Sequence, residues 1–268
     1  MNLKKLIVSM CLAVPCLFQA SAHAQSLKIA SDCTYPPFGF RDSSGELKGF
    51  DVDIAREIGK RMNRPVEIVC QAWDGMIPGL LAQKFDLISA SMSITEERKK
   101  SISFSLPYRS SSARFVGLKT LNVAPFQSDG SANPKALAGK SIGIQRASVY
   151  ENYLKDKFPG SSLVQYDTVD NMLLDLKSGR IDLVFAGPIK LENDFLSKPE
   201  NSGFGFTGEE VDDISYFGPG IGVGIRKDDE ALLKEVNTAL EGMFSDGTFK
   251  TINLKYWNFS VLPSVWKE

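Results

Sequence analysis

The stretch Ala90-Ser-Met-Ser-Ile-Thr-Glu-Glu-Arg98 concentrates the most chemistry in this chain. Ser91 and Ser93 set two hydroxyls beside a turn of free backbone N–H groups, and Thr95 caps a helix whose first turn carries Glu96 and Glu97. Arg98 follows one turn into that helix. Hydroxyls, a helix N-terminus and a guanidinium together can clamp a carboxylate. The same residues also read as ordinary capping with a solvated arginine. Ser148 and Glu151 form a capping box at a second helix start, which offers further N–H donors. Tyr35, Phe38 and Trp73 can sandwich a long side chain and favour a cation, or they pack in the core. Asp32 can pair with a ligand cation or cap a turn. Gly220-x-Gly-x-Gly224 is not a phosphate loop, because no helix opens directly on it and no lysine stands where a phosphate needs one. It reads instead as a strand that another backbone approaches closely.

Composition narrows the classes. The chain has 268 residues, 43% hydrophobic and 24% charged, enough to bury one large core or two ordinary ones. With 31 basic against 32 acidic side chains, it is not a polybasic nucleic-acid binder, and its apolar content excludes a disordered chain. The single histidine is His23. If it is lost on processing, a Ser-His-Asp triad, a Cys-His pair and a His-liganded zinc site are all excluded, and no metal or cofactor is expected.

Processing is expected. Lys4 and Lys5 make a positive start, Leu6 to Phe18 is mostly apolar, and Ala22-His23-Ala24 is a small-x-small cleavage site. Residues 1–24 therefore read as a secretory signal peptide cleaved after Ala24, the apolar run being short for a bilayer core of about 30 Å and broken by Pro15. The mature protein is then exported and soluble, with 29 basic against 32 acidic residues once Lys4 and Lys5 are removed. Its two remaining cysteines, Cys33 and Cys70, each end a strand-like run. Adjacent parallel strands would bring them close enough for a disulfide, the alternative being two buried thiols.

The elements that must position these residues alternate strand and helix. Strands are expected over Leu27–Ser31, Val66–Cys70, Phe85–Ser89, Ala113–Gly117, Ser141–Ile144, Leu163–Tyr166, Ile181–Phe185 and Gly220–Ile225. Helix faces are marked by Ile54, Ile58 and Met62, by Val169, Met172, Leu173 and Leu176, and by Leu232, Val236, Leu240 and Met243. A final helix holds Phe249 and Tyr256, and Tyr35-Pro-Pro-Phe38 is a rigid loop. The pattern restarts after a polar bridge, Tyr108 to Ser112, so the fold is α/β with mostly parallel sheets in two lobes. In such folds ligands sit at the carboxyl ends of strands, where the residues above lie.

The stretches SDCTYPPFGF, GELKGFDVDIAREIGKRM, WDGMIPGL, FDLISASMSITEERK, DLKSGRID and FGPGIGVGIRK, in this order across the mature chain, resemble the bacterial periplasmic solute-binding proteins for polar amino acids. The likeness is greatest to the branch binding lysine, arginine, ornithine and histidine and to the octopine- and nopaline-binding proteins. It implies a type II two-lobed fold with two crossover hinge strands. Lobe 1 is then Gln25 to Arg109 plus Phe217 to Glu268, and lobe 2 Ser110 to Tyr216. Carried onto this sequence, Arg98 matches the arginine that clamps the ligand carboxylate, with Ser93 and Ser148 as further donors. Ala90 and Ser91 match positions that bond the ligand's amino group, and Met92 lies in the same ligand-facing segment. Tyr35 and Trp73 match the side-chain walls, and Asp32 an acid that reaches a cationic tip.

One position departs from the family pattern. Where the family carries an aspartate paired with the ligand's α-ammonium, this chain has Gly187. Loss of that charge-assisted bond removes roughly 1.5–3 kcal/mol. The opine-binding relatives also lack that acid, and their ligands carry a bulkier α-nitrogen. The resemblance thus implies a monomeric periplasmic protein of an ABC importer. It would take a cationic or arginine-derived, opine-like amino acid, or an ordinary basic amino acid, and close by hinge motion for an inner-membrane permease. A dehydratase-type enzyme on the same fold is the rival from another class.

Overall fold

In the computed structural model, which describes residues 25–263 and 266, the apolar runs build two separate five-stranded sheets. The expected signal peptide lies outside the described residues. In the first sheet Leu27–Ser31 runs parallel to Val66–Cys70 on one side and to Leu87–Ile88 on the other. In the second, Ser141–Gln145 lies parallel between Ser162–Tyr166 and Leu183–Ala186.

The remaining strands of both sheets pair antiparallel, which the expectation of mostly parallel sheets missed. They are Gly224–Ile225 and Ser103–Phe104 in the first sheet and Ala113–Leu118 and Phe204–Val211 in the second. All four flank the segments where the chain passes between sheets. A strand entered by such a crossing need not follow the right-handed helical crossover that makes neighbours parallel. The eight-residue strand Phe204–Val211 carries two glycines and two glutamates, so its sequence lacks the apolar signature of the others.

Helices cover both faces. Phe50–Arg61 buries Phe50, Val52, Ile54, Ala55 and Ile58 against the first sheet, and Met62 stands just past its end. Each such apolar side chain contributes about 1.5–3 kcal/mol. Phe50 also meets Tyr108, Phe249, Tyr256 and Trp257. The last helix spans Thr248–Leu254 and stops before Tyr256. Glu230–Ser245 is capped by Asp229, whose carboxylate accepts from the Leu232 N–H. In the second sheet's cover, Val169–Lys177 buries Val169, Met172, Leu173 and Leu176, the face read from the sequence. Tyr35 does not lie in a plain loop. With Thr34 it pairs against Gly39–Arg41 in a small three-stranded sheet whose turn is Pro36-Pro37.

The two crossings meet each other. Tyr108 N–H donates to the Ile221 carbonyl at 2.9 Å, and Ile221 N–H to the Arg109 carbonyl at 2.7 Å. Only Gly224–Ile225 of the glycine-dotted run forms regular strand. The rest is closely approached backbone, as its glycines suggested: a Cβ on Gly218, at φ 69°, would lie 1.6 Å from the Ile94 carbonyl oxygen.

Candidate functional site

The carboxyl ends of the parallel strands face one another across the gap between the sheets. From the first sheet come Asp32 and Tyr35 after Leu27–Ser31, Trp73 after Val66–Cys70, and Ala90, Ser91 and Ser93 after Leu87–Ile88. From the second come Ser148 and Tyr150 after Ser141–Gln145 and Gly187 after Leu183–Ala186. Asp32, Tyr35, Trp73, Ala90, Ser91, Ser93, Arg98 and Ser148 line a single cavity of about 390 Å³, part of it open to solvent. Gln145, Val149 and Tyr150 complete its wall.

Arg98 is held from several sides. The Thr95 hydroxyl caps its helix by accepting from the Arg98 N–H at 3.2 Å. One guanidinium nitrogen donates to the Ser93 carbonyl at 2.9 Å, and the other crosses to the Ala147 carbonyl at 3.2 Å. The Trp73 ring supports the guanidinium carbon 5.2 Å from its centroid. Burial pushes the Arg98 pKa down to about 10, so it stays cationic at neutral pH. Among the described residues no carboxylate pairs with it. Two neighbouring donors, Ser148 Oγ and Trp73 Nε1, are buried without a hydrogen-bond partner. A cation and two unspent donors, contributed from both sides of the gap, can together receive an anion.

Ser148 is not the cap that its spacing to Glu151 suggests. The helix begins at Tyr150 after Val149, with no side-chain cap, and Glu151 pairs with Lys155. The turn through Ala147, at φ 56°, delays the helix and leaves the Ser148 hydroxyl free to face the cavity.

Asp32 brings the opposite charge. One carboxylate oxygen accepts from the Thr34 N–H at 3.0 Å and from its hydroxyl at 2.7 Å, and no described cation pairs with it. Ser91, at φ 53°, donates its hydroxyl to buried Asp51 at 2.6 Å. Tyr108 donates to the other Asp51 oxygen at 2.8 Å. Burial raises the Asp51 pKa, opposed by Arg109 and by these hydroxyl donors. Because Ser91 spends its proton on Asp51, its oxygen is left to accept from a ligand donor. Ser93 Oγ is bonded to Ser111 Oγ across the crossing at 2.9 Å.

Two expected residues stand elsewhere. Met92 is 1% exposed and packs in the core with Ala30, Met76 and Ile88, since the residue between two cavity-facing serines turns its side chain back into the sheet. Gly187 lines a larger neighbouring cavity that also contains Phe38 and Arg109. Tyr150, Arg109 and Asp51 were missed. Tyr150 could have been found from its place two residues beyond Ser148; Asp51 and Arg109 carry no local signal.

Cys33 and Cys70 are bridged, with their Cα atoms 5.4 Å apart. The parallel register that sets Ser31 beside Cys70 brings them together. The bridge ties the loop bearing Asp32 and Tyr35 to the one bearing Trp73. At the cleft mouth Arg146 holds Asp167 at 2.9 Å and lies 4.0 Å from Asp74 on the opposite side.

The family model of the bacterial extracellular solute-binding proteins, family 3, matches residues 27–259. The histidine-binding periplasmic protein of Escherichia coli K12 is 34% identical over 264 residues, covering 97% of this chain and 99% of its own. The L-arginine-binding protein of Pseudomonas aeruginosa is 35% identical over 266 residues, covering 98% and 100%. Among solved structures, a Salmonella typhimurium periplasmic binding protein of high arginine specificity superposes with a TM-score of 0.78 at 30% identity, over 88% of this chain and all of that one. The two-lobed α/β fold is thus shared with arginine-binding proteins.

Proposed function

The chain belongs to the bacterial extracellular solute-binding proteins of family 3, and on that premise we propose that it captures a cationic α-amino acid of the arginine type between its lobes. The observation that carries this reading is the pairing of unspent charges in one cavity: Arg98 with Ser148 and Trp73 donors at one place, Asp32 at another. The ligand's α-carboxylate goes to Arg98 and Ser148, with Ser93 beside them. Its amino group goes to the Ala90–Ser91 turn, where Asp51 backs the Ser91 oxygen. Its side chain runs between Tyr35 and Trp73 to Asp32. The lobes are Gln25 to Arg109 with Phe217 to Glu268, and Ser110 to Tyr216. They close about the paired crossings, and the Arg98 bond to Ala147 is one contact made on closing.

No bond is broken in this cycle. The ligand moves from water to a preformed polar cleft, and the closed form passes it to an inner-membrane ABC permease. The protein works as a monomer in the periplasm after cleavage behind Ala24. A second reading, an N-substituted arginine derivative, is favoured by Gly187, where a Cβ would meet only the Tyr150 and Tyr35 hydroxyls, at 3.6 and 3.7 Å, and the Ser112 carbonyl at 4.0 Å.

The test is a thermal-shift and calorimetric panel on the mature protein: arginine, lysine, ornithine, histidine, N-substituted arginines, and neutral and acidic amino acids. A ligand at a hundred times its Kd should add about 2.7 kcal/mol to stability. Response to cationic amino acids or their derivatives alone supports the reading. A larger response to glutamate or a neutral amino acid, or any product formed from the ligand, overturns it.

A further inference from the structure

Asp51 is the most deeply buried acid among the described residues, 1% exposed, and it does not itself line the ligand cavity. It opens the helix Phe50–Arg61, whose first-turn N–H groups favour an anion there. Its main chain is tied on both sides. The N–H donates to the Phe38 carbonyl at 2.9 Å, and the carbonyl accepts from the Ser89 hydroxyl at 2.9 Å. The carboxylate is therefore placed by the backbone around it.

Both carboxylate oxygens accept from hydroxyls. One takes the proton of Tyr108, in the first crossing, at 2.8 Å. Burial and the charge of Asp51 raise the Tyr108 pKa well above the usual phenol range, so Tyr108 keeps its proton and is the donor. The other oxygen takes the proton of Ser91 at 2.6 Å. Among the described residues no cation forms an ion pair with Asp51, and Arg109 favours its charged form only through its field. Two neutral hydroxyls solvate this buried charge without cancelling it.

Ser91 carries a second mark. Its φ of 53° lies in the left-handed region, which glycine enters freely and a side chain enters at a cost. Toward the cavity that it lines, the hydroxyl has no proton left to give, so there it can only accept. A strained serine, an oriented hydroxyl and an uncancelled carboxylate behind it converge on one point of the cavity wall.

We propose that Asp51 is a positioning residue for the ligand's α-ammonium. It makes Ser91 an acceptor only, and it sets a buried negative charge one hydroxyl behind that acceptor. The site then selects a charged amine on the α-carbon over hydrogen or a bare acceptor in its place. Asp51 acts through Ser91 and not by contact with the ligand. This rests on the reading above, in which Arg98 takes the α-carboxylate and the amino group faces the Ala90–Ser91 turn.

The experiment is calorimetry on the mature protein with arginine and with desamino-arginine, which keeps the guanidinium and the carboxylate but carries hydrogen where the amine stands. The natural protein should bind arginine tighter by about a hundredfold or more. Asp51→Asn keeps the shape and an acceptor oxygen and should cut that ratio by about tenfold or more. Tyr108→Phe breaks the other bond to the same carboxylate but leaves its charge, so the ratio should stay within about threefold of the natural one. A merely structural Asp51 would lower the melt in both variants and leave the ratio where it was. A ratio near one in the natural protein overturns the proposal, as does an unchanged ratio in Asp51→Asn or an equal fall in Tyr108→Phe. Should Asp51→Asn not fold, Ser91→Ala keeps the Cβ and removes only the relay, and an unchanged ratio there overturns the proposal as well. If arginine binds and the ratio ignores these changes, only this inference fails. If arginine does not bind, the reading it rests on fails too.

Discussion

Replacing Arg98 by methionine isolates the ligand clamp from the fold. The guanidinium makes one bond within its own lobe, to the Ser93 carbonyl, one across the cleft to Ala147, and a stack on Trp73. It neutralises no carboxylate among the described residues, so its removal breaks no ion pair. Two charge-assisted bonds to a ligand carboxylate are each worth about 1.5–3 kcal/mol and add incompletely, so the variant should lose about 3–5 kcal/mol of binding. That is a roughly 150- to 5,000-fold rise in Kd. Stability without ligand should change little, because two lost bonds are offset by relief from burying an unpaired cation. The melting temperature of the free protein should stay within about 4 °C of the natural one. Arg98→Lys keeps the charge without the fork and should fall between the two. Calorimetry with arginine and melts without ligand measure both quantities. A loss below tenfold would refute the clamp. So would a melt that collapses while the folded fraction binds normally, since Arg98 would then be structural.

Asp32→Asn should weaken arginine by about tenfold or more while sparing citrulline, so the ratio of the two dissociation constants reads the contact with the cationic tip; an unchanged ratio places the tip elsewhere. Cys33→Ser with Cys70→Ser opens a crosslink of sequence separation 37, a loss of about 3–4 kcal/mol. The melt should fall by roughly 6–16 °C, and a drop under about 2 °C would show that the two strands hold their ends together unaided. Gly218→Ala puts a Cβ against the Ile94 carbonyl and should cost upwards of about 2 kcal/mol, whereas Gly203→Ala, with nothing within 4 Å, should be close to neutral; equal melts would contradict the close approach.

Much of this arrangement was legible because local rules and global placement agreed. Thr95 is both the best N-cap in its segment and the residue that sets Arg98 one turn on. The strands that carry Asp32, Cys33 and Cys70 were readable as apolar runs, and their parallel register alone brings the cysteines together. What failed was legible only in three dimensions. Ser148 has a capping-box spacing, yet the turn at Ala147 starts the helix late and turns a structural hydroxyl into a free one. Met92 sits between two cavity serines, and alternation sends its side chain to the core. The antiparallel strands depend on where the chain crosses between sheets, which no period in the sequence records. Asp51 lies on the buried face of its helix and reads there as an oddity. Its use appears only when Ser91, 40 residues away, is brought against it.

The distribution of paired and unpaired charge argues for what the cleft awaits. Away from it, half-buried Arg61 is neutralised by Glu57 and Asp246, and half-buried Arg226 by Asp86 and Asp229. In the cleft Arg98 and Asp32 have no ionic partner among the described residues. An unpaired charge that loses water without gaining a counter-ion destabilises a fold by several kcal/mol unless something else completes it. The pattern of the two complements the ligand proposed above, with an anion for Arg98 and a cation for Asp32. Free arginine supplies both charges.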